Sequence, residues 1–339
     1  EEEWFSRSGG DKISKRRECK RMDFLKLLRS FQSWVDTTAP VAEHQEDRVD
    51  WLRVIPFLGL HAVCLAVIFV GWSWVAVGTA AFLYAIRMFA ITGFYHRYFS
   101  HRSFKTSRAF QFAMAVVGNS AVQRGPLWWA AHHRHHHRHS DTEDDPHSPH
   151  RHDFLWSHMF WFTSPKSFAT NERAVRDLVK YPELKFINRF DIIVPILLAF
   201  CLFGFGELLE AVAPSLGTSG MQMFIWGFCI STIVLFHATC SINSLAHLIG
   251  RKRFRTRDES RNSLLLALIT FGEGWHNNHH YYPGSVRQGF YWWEIDITYY
   301  GLKLMEKLGL IWDLKAVPES VLEKGQAIEE VTNERSVAV

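Results

Sequence analysis

The chain has 339 residues, with 38 Lys and Arg against 34 Asp and Glu, a formal net charge of +4, and 47% hydrophobic and 21% charged residues. Length admits one large domain or two small ones; composition excludes a disordered chain, a collagen-like repeat, a disulfide-rich scaffold and a nucleic-acid-binding tail. Fourteen Trp and nineteen His are both unusually many; one residue favours membrane interfaces and the other binds metals, so the pair points to a membrane metalloprotein.

Residues 1–50 form a mostly polar tail with a short amphipathic segment at 24–34. Its first residue is Glu1 and its first Met is Met22; residues 1–21 lack the apolar core of a signal peptide and read as a flexible tail or an upstream extension. Two apolar runs follow, 51–70 and 73–94, split by Gly71-Trp72. Two more, 190–212 and 221–241, are joined by the uncharged link 213–220. Each reaches the ~20 apolar residues that a bilayer-crossing helix needs. The expected fold is all-α: four transmembrane helices in two hairpins, with a cytosolic helical cap.

Hairpins put the tail, the segment 96–189 and the C-terminal part on one side. These hold nearly all the Lys and Arg and the two short links hold none, so this side, with both termini, is expected in the cytosol. Within the spans, Asp191, Glu207 and Glu210 lie near ends, whereas Arg87 is expected to face protein or a cavity. Amphipathic stretches at 110–122, 154–162 and 264–271 are candidates for the interface plane or the cap. The five cysteines, Cys19, Cys64, Cys201, Cys229 and Cys240, contain no CxxC and read as small buried hydrophobes.

Histidines gather at His96/His101, in the run 132–139, at His247, and at His276/His279/His280. Residues three and four apart share a helix face, so the last three point the same way, as does a triplet in the run. Asn243 and His247 fall at the cytosolic end of the fourth span, and His96 and His101 just beyond the end of the second. A lone histidine such as His61 or His237 reads as a satisfied core residue, and a polyhistidine tract alone as a solvated one. Convergence of all the clusters on one rim argues for a built metal site. Nine imidazoles and an Asn exceed one four-coordinate zinc and suit two ions of higher coordination; imidazole alone leaves zinc, copper, iron and nickel open.

The wording of these clusters resembles the membrane fatty-acyl desaturases. His96-Arg97-Tyr98-Phe99-Ser100-His101 is similar to their HxxxxH box and His133-Arg134-His135-His136-His137 to their HRxHH box. The third box, GEGxHNxHH, is matched from Gly272 through Trp275, His276, Asn277, His279 and His280, with Pro283 following. Asn243-Ser244-Leu245-Ala246-His247 resembles the NxxxH element of the stearoyl-CoA branch, and the likeness, closest to bacterial members, covers residues 51–312. His132/His135/His136 also reads as HxxHH. Arg134, Trp129 four residues before His133, and Asp145-Pro146-His147 after it select His133/His136/His137, leaving His132, His135 and His139 as extras.

The resemblance implies a di-iron centre on His96, His101, His133, His136, His137, His247, His276, His279 and His280, with Asn243 acting through a water. Asp145 and Glu273 are candidates for fixing imidazole tautomers. It implies O2-dependent insertion of a cis double bond between the ninth and tenth carbons of a long-chain acyl-CoA, held in a bent apolar tunnel. Ala80 and Tyr84 correspond to positions near the tunnel end, and Gln123 and Trp129 keep family positions beside the substrate. Where acyl-CoA members carry Arg-Asp before the second box, this chain has Ala131-His132; Arg124, Arg138 and Lys166 are the alternative phosphate contacts, and lipid or acyl-carrier-protein substrates stay open. Residues 313–339 lack histidine, so no haem domain is expected there. Electrons are expected from a separate b-type cytochrome or ferredoxin-like iron–sulfur protein and its reductase. The competing readings are a related di-iron hydroxylase and a divalent-metal transporter. The transporter needs ligands near mid-membrane, where the spans offer His61, His237 and Arg87.

Overall fold

Residues 32–38 and 47–337 are described by the structure, a computed structural model. The expected tail 1–50, its segment 24–34 and Cys19 lie largely outside the described residues. Helices dominate; the strands among the described residues are β1, Lys105–Thr106, and β2, Ile311–Trp312, an antiparallel pair with Lys105 opposite Trp312.

Three helices are long and apolar enough to cross a membrane: Trp74–Ser100, Ile193–Val212 and Gly220–His247, of 27, 20 and 28 residues. At ~1.5 Å per residue each reaches the ~30 Å of a bilayer core. The first apolar run is different. It forms α1, Trp51–Cys64, and a short turn Val67–Val70, because Leu65 and Ala66 make tight bonds to the carbonyls of Ala62 and Val63, three residues back. Outward-facing side chains on these elements include Phe69, 85% exposed, Trp74, 79%, and Phe200, 71%. Such a surface is stable against lipid rather than water, which makes this a membrane protein.

The helix Gly220–His247 is the central one. In its apolar window 61% of residues are buried against protein, compared with 17% for Ile193–Val212, the outer helix. Close approach of the two depends on small residues: a Cβ on Gly206 would stand 2.6 Å from the Cα of Gly220. Arg87 is fully buried. Its guanidinium donates to Leu83 O at 2.9 Å, Ser120 O at 3.2 Å, Thr232 Oγ1 at 2.7 Å and Ser231 Oγ, which satisfies the charge within the protein. His61 and His237 are not lone core residues. Their Nε2 atoms lie 3.1 Å apart, and His237 Nδ1 lies 3.0 Å from His158 Nε2, a polar seam tying α1 to the central helix and the cap. Cys64, Cys201, Cys229 and Cys240 are unbridged; Cys229 and Cys240 are buried as expected, whereas Cys201 faces outward.

The cap contains α2, Arg108–Asn119, and α3, Pro126–His139. Pro126 at the first helical position suits a site where the N–H is unpaired anyway. The expected amphipathic stretch 154–162 becomes the short turns Trp156–Phe160 and Trp161–Thr163, and 264–271 becomes α4, Leu264–Ile269, whose Leu264 and Leu265 face outward. Next come α5, His276–Tyr281, α6, Ile297–Lys307, and α7, Glu319–Val337. Cap and helices share one buried cluster that includes Phe94, Tyr95, Phe99, Leu127 and Leu302.

Candidate metal centre

His96 lies inside the long helix rather than beyond it. From Ala90 to Ser100 this helix is π-type, and His101 N donates to His96 O at 3.2 Å, five residues back. In an α-helix, residues five apart diverge by about 140°. The wider turn stacks them, so the HxxxxH spacing presents both imidazoles to one face. Arg134 closes this end: it donates to the free carbonyls of Ser100, at 3.0 Å, and Phe99, at 2.6 Å, and pairs with Asp177.

The nine box histidines divide into two groups: His96, His101, His133, His137 and His279, and His136, His247, His276 and His280. Within each group the ligand nitrogens lie within 4.8 Å of one another. The second-box helix α3 sends His133 and His137, one turn apart, to the first group and His136 to the second. Helix α5 sends His279 to the first and His276 and His280 to the second. Both helices therefore lie across the two positions, and His276, His279 and His280 do not serve one ion's place as a shared face predicts. His132, His135 and His139 belong to neither group. Asn243 ends the helix Ser231–Asn243, one turn before His247.

The donor geometry fits metal ions. Nε2 separations are 3.0 Å for His96–His279, 2.8 Å for His101–His133, 2.9 Å for His137–His279 and 3.1 Å for His247–His276. Imidazole nitrogens about 2.1 Å from one divalent ion and at right angles stand about 3 Å apart. Carboxylates fix the tautomers from behind. Nδ1–H of His136 donates to Asp145 at 3.0 Å, His247 to Asp141 at 2.9 Å, His280 to Asp258 at 2.8 Å, and His96 to Glu273. Each of these rings then turns an Nε2 lone pair inward, and His280 Nε2 is buried with no partner among the described residues.

Burial first, and neighbouring imidazoles second, hold His101, His133, His137, His276 and His279 well below the usual histidine range. They are neutral at pH 7, the form that can bind a metal ion. For His280 burial outweighs the Asp258 carboxylate and the value falls to about 4. For His136 burial is opposed and outweighed by Asp145, so it titrates above the usual value.

Asp145 and Glu273 thus stand where the sequence placed them, but Asp141 and Asp258 were missed. Asp141 sits in a polar turn and Asp258 in an arginine-rich loop, and no local spacing links either to a histidine box. Arg97, fully buried, donates to Asp296 at 3.0 and 3.1 Å and to Glu273 at 3.1 Å, locking the first box to the third. Gly274 of the third box is required by space: a Cβ there would lie 2.1 Å from Ala267 N.

A cavity of about 270 Å³ approaches the histidines between α1, the central helix and the cap, with Phe57, Trp128, Trp161 and Phe236 among its walls. A smaller one of about 40 Å³ continues past them toward Met88 and Ile91. Trp129, His133, Thr239 and Asn243 line both. Gln123 lines the larger and donates to Thr239 Oγ1 at 3.0 Å, and Trp129 stacks on His133 at 5.0 Å. Ala80 and Tyr84 line neither cavity. Ala80 lies two turns and Tyr84 one turn beyond Met88, and Tyr84 donates to Ile269 O at 2.5 Å. Two of the three phosphate-contact candidates are ion-paired, and the third, Arg138, is exposed with one bond inside its own helix. Arg124 pairs with Asp191 at 2.9 Å and sits over Phe168 and Trp128, Lys166 pairs with Asp47 at 3.0 Å, and Arg138 donates to Arg134 O at 3.2 Å.

Apolar helices holding two histidine cages beside an apolar cavity define a membrane protein whose histidine clusters are compatible with a metal centre. Residues 72–306 match the family described as fatty acid desaturase. The chain is 36% identical to an sn-1 stearoyl-lipid 9-desaturase of Anabaena variabilis, over 81% of this chain and 97% of that one. It is 37% identical to an acyl-CoA 5-desaturase of Anemone leveillei, over 86% and 87%, and 34% identical to Delta-9 acyl-lipid desaturase 1 of Arabidopsis thaliana, over 82% and 87%. The chain belongs to the fatty acid desaturase family, an oxidoreductase of lipid metabolism.

Proposed function

We propose that this chain is an O2-dependent di-iron desaturase that places a cis double bond between the ninth and tenth carbons of a long-chain saturated acyl group. The division of nine box histidines into groups of five and four beside an apolar cavity carries this reading. The first group holds one iron; the second, with Asn243 through a water, holds the other. Iron supplies the redox chemistry with O2 that removal of hydrogen from an unactivated chain needs and that redox-silent zinc lacks. Per double bond, one O2, two electrons and two protons are consumed and two waters leave.

The chain's own residues bind and orient. The aromatic walls exclude water and hold the acyl chain, and the waist at Trp129, Thr239 and Asn243 fixes which methylenes rest beside the histidines. Ala80 and Tyr84, beyond Met88, bound the far end. The carrier implied by the family resemblance is a CoA thioester. A second reading, a chain esterified in membrane lipid, is favoured because Arg124, the cavity's arginine, is already neutralised by Asp191.

We further propose four spans, α1 and Val67–Val70 together making the first, with both termini and the metal centre in the cytosol. The desaturase domain is 51–312, flanked by 1–50 and 313–339, and a separate electron donor with its reductase serves it.

Gas chromatography of fatty acids from a desaturase-deficient host expressing the gene tests the proposal. A new acyl chain unsaturated at the ninth carbon is expected, absent with His136→Ala and shifted to longer chains with Tyr84→Ala. A hydroxylated chain instead transfers the reading to the hydroxylases. No product, retained zinc and metal movement into liposomes transfer it to a transporter.

A further inference from the structure

Residues 251–261 carry six cations against two carboxylates, a net +4 that equals the formal charge of the whole chain. Arg251, Arg255 and Arg257 are exposed, and their guanidinium groups have no ion pair or hydrogen bond among the described residues. The loop is held in place rather than loose. Arg251 and Asn262 exchange backbone hydrogen bonds of 2.9 and 2.8 Å at its base. Asn277, between two box histidines, accepts from Arg253 N at 2.8 Å and Phe254 N at 2.7 Å, and its neighbour Asn278 accepts from Asn262 Nδ2 at 2.7 Å.

The same loop reaches the metal centre twice. Asp258 accepts from His280 Nδ1 at 2.8 Å, and Glu259 N donates at 2.7 Å to the Asp141 carboxylate that holds His247. Exposed Arg257 is thus one peptide bond from a carboxylate bonded to a box imidazole.

We propose that this loop is the docking surface for an acidic, soluble one-electron carrier protein, and that electrons enter the second histidine group through Asp258 and His280. The inference rests on the desaturase reading, which requires two electrons per double bond from outside the described chain. Each docking oxidises one carrier and reduces one metal ion by one electron, so two dockings serve each double bond. A positive patch meeting a negative one accelerates encounter and fixes orientation. A bilayer surface rich in anionic lipid is the competing occupant. It gives no reason for the charged loop to be hydrogen-bonded into the ligand shell.

The test uses the iron-loaded chain in neutral-lipid nanodiscs with a reduced, acidic plant-type [2Fe–2S] ferredoxin as probe. Arg251→Glu/Arg255→Glu is compared with Arg173→Glu/Arg176→Glu, an equal charge change elsewhere on the cap. The first pair is expected to weaken ferredoxin binding about tenfold and flatten its salt dependence, with dithionite-driven desaturation unchanged. The second pair is expected to leave binding intact. Unchanged ferredoxin affinity in the first pair, equal loss in both pairs, or loss confined to adhesion to anionic vesicles each overturns the proposal. Absence of alkene in the unaltered protein under dithionite is a separate result and strikes the desaturase reading instead.

Discussion

Four carboxylates sit behind four imidazoles, and this pairing aims the rings at the two candidate metal positions. Asp258 is the sharpest case, because it accepts from His280 Nδ1 at 2.8 Å and is buried beneath an otherwise charged loop. Asp258→Asn keeps the shape but removes the charge that fixes the His280 tautomer. Outer partners of this kind are worth about 10–100-fold in metal affinity. The variant is expected to fold normally and to lose metal from the second group first, measured as iron per chain after dialysis against a graded chelator. Retention of the unaltered stoichiometry at every chelator concentration counts against that role. Asp145 was a candidate because it opens the Asp145-Pro146-His147 element that resembles the family's stretch after the second box; Asp258 is 22 residues from His280, and its pairing depends on where a loop folds back.

At the scale of elements, the first and second boxes are joined end to end. Arg134 caps the π-type turn carrying His96 and is itself held by Asp177, which also accepts from Arg102 Nε at 2.8 Å. Burial raises the Asp177 carboxyl, but hydrogen bonds from Arg134 and then Arg102 outweigh it and leave it below the ordinary value. A depressed folded-state carboxyl contributes stability that is complete above the unfolded value of about 3.9 and is lost as pH falls through the lower folded value. Asp177→Asn is therefore expected to lower the unfolding midpoint at pH 7, with the gap to the unaltered protein closing as the pH drops below about 4. A gap that is constant with pH counts against this contribution. The existence of the helices was readable from apolar run lengths. The π-type turn was not, since a spacing of five reads as two unrelated faces until the backbone bonds are seen.

For the whole molecule, the nine box histidines come from four separate stretches of chain, so metal binding at the two groups is expected to be coupled to folding. An ion that binds the folded state alone stabilises it in proportion to the logarithm of its concentration. Chelation is expected to lower the unfolding midpoint, and added ferrous iron to restore it in two steps if the groups fill separately. Calorimetry with and without chelator reads this directly; identical midpoints show cages that form without metal. The membrane helices supply a rigid frame, with Arg87 satisfied internally and the His61–His237–His158 seam crossing between helices. A lone-residue reading of His61 and His237 missed that seam because their partners lie 176 and 79 positions apart.

The sequence by itself located the apolar runs and the histidine clusters, because hydropathy and short spacings are local properties of the chain; likeness to the desaturase boxes singled out nine of those histidines, with Asp145 and Glu273 as candidate acids behind them. Only the tertiary structure decided how those histidines divide between two positions, that the first apolar run breaks at Leu65-Ala66, that Arg124 is already paired, and that Asp141 and Asp258 complete the shell. Each of these depends on groups distant in the chain meeting at hydrogen-bond range, and that proximity is a product of packing.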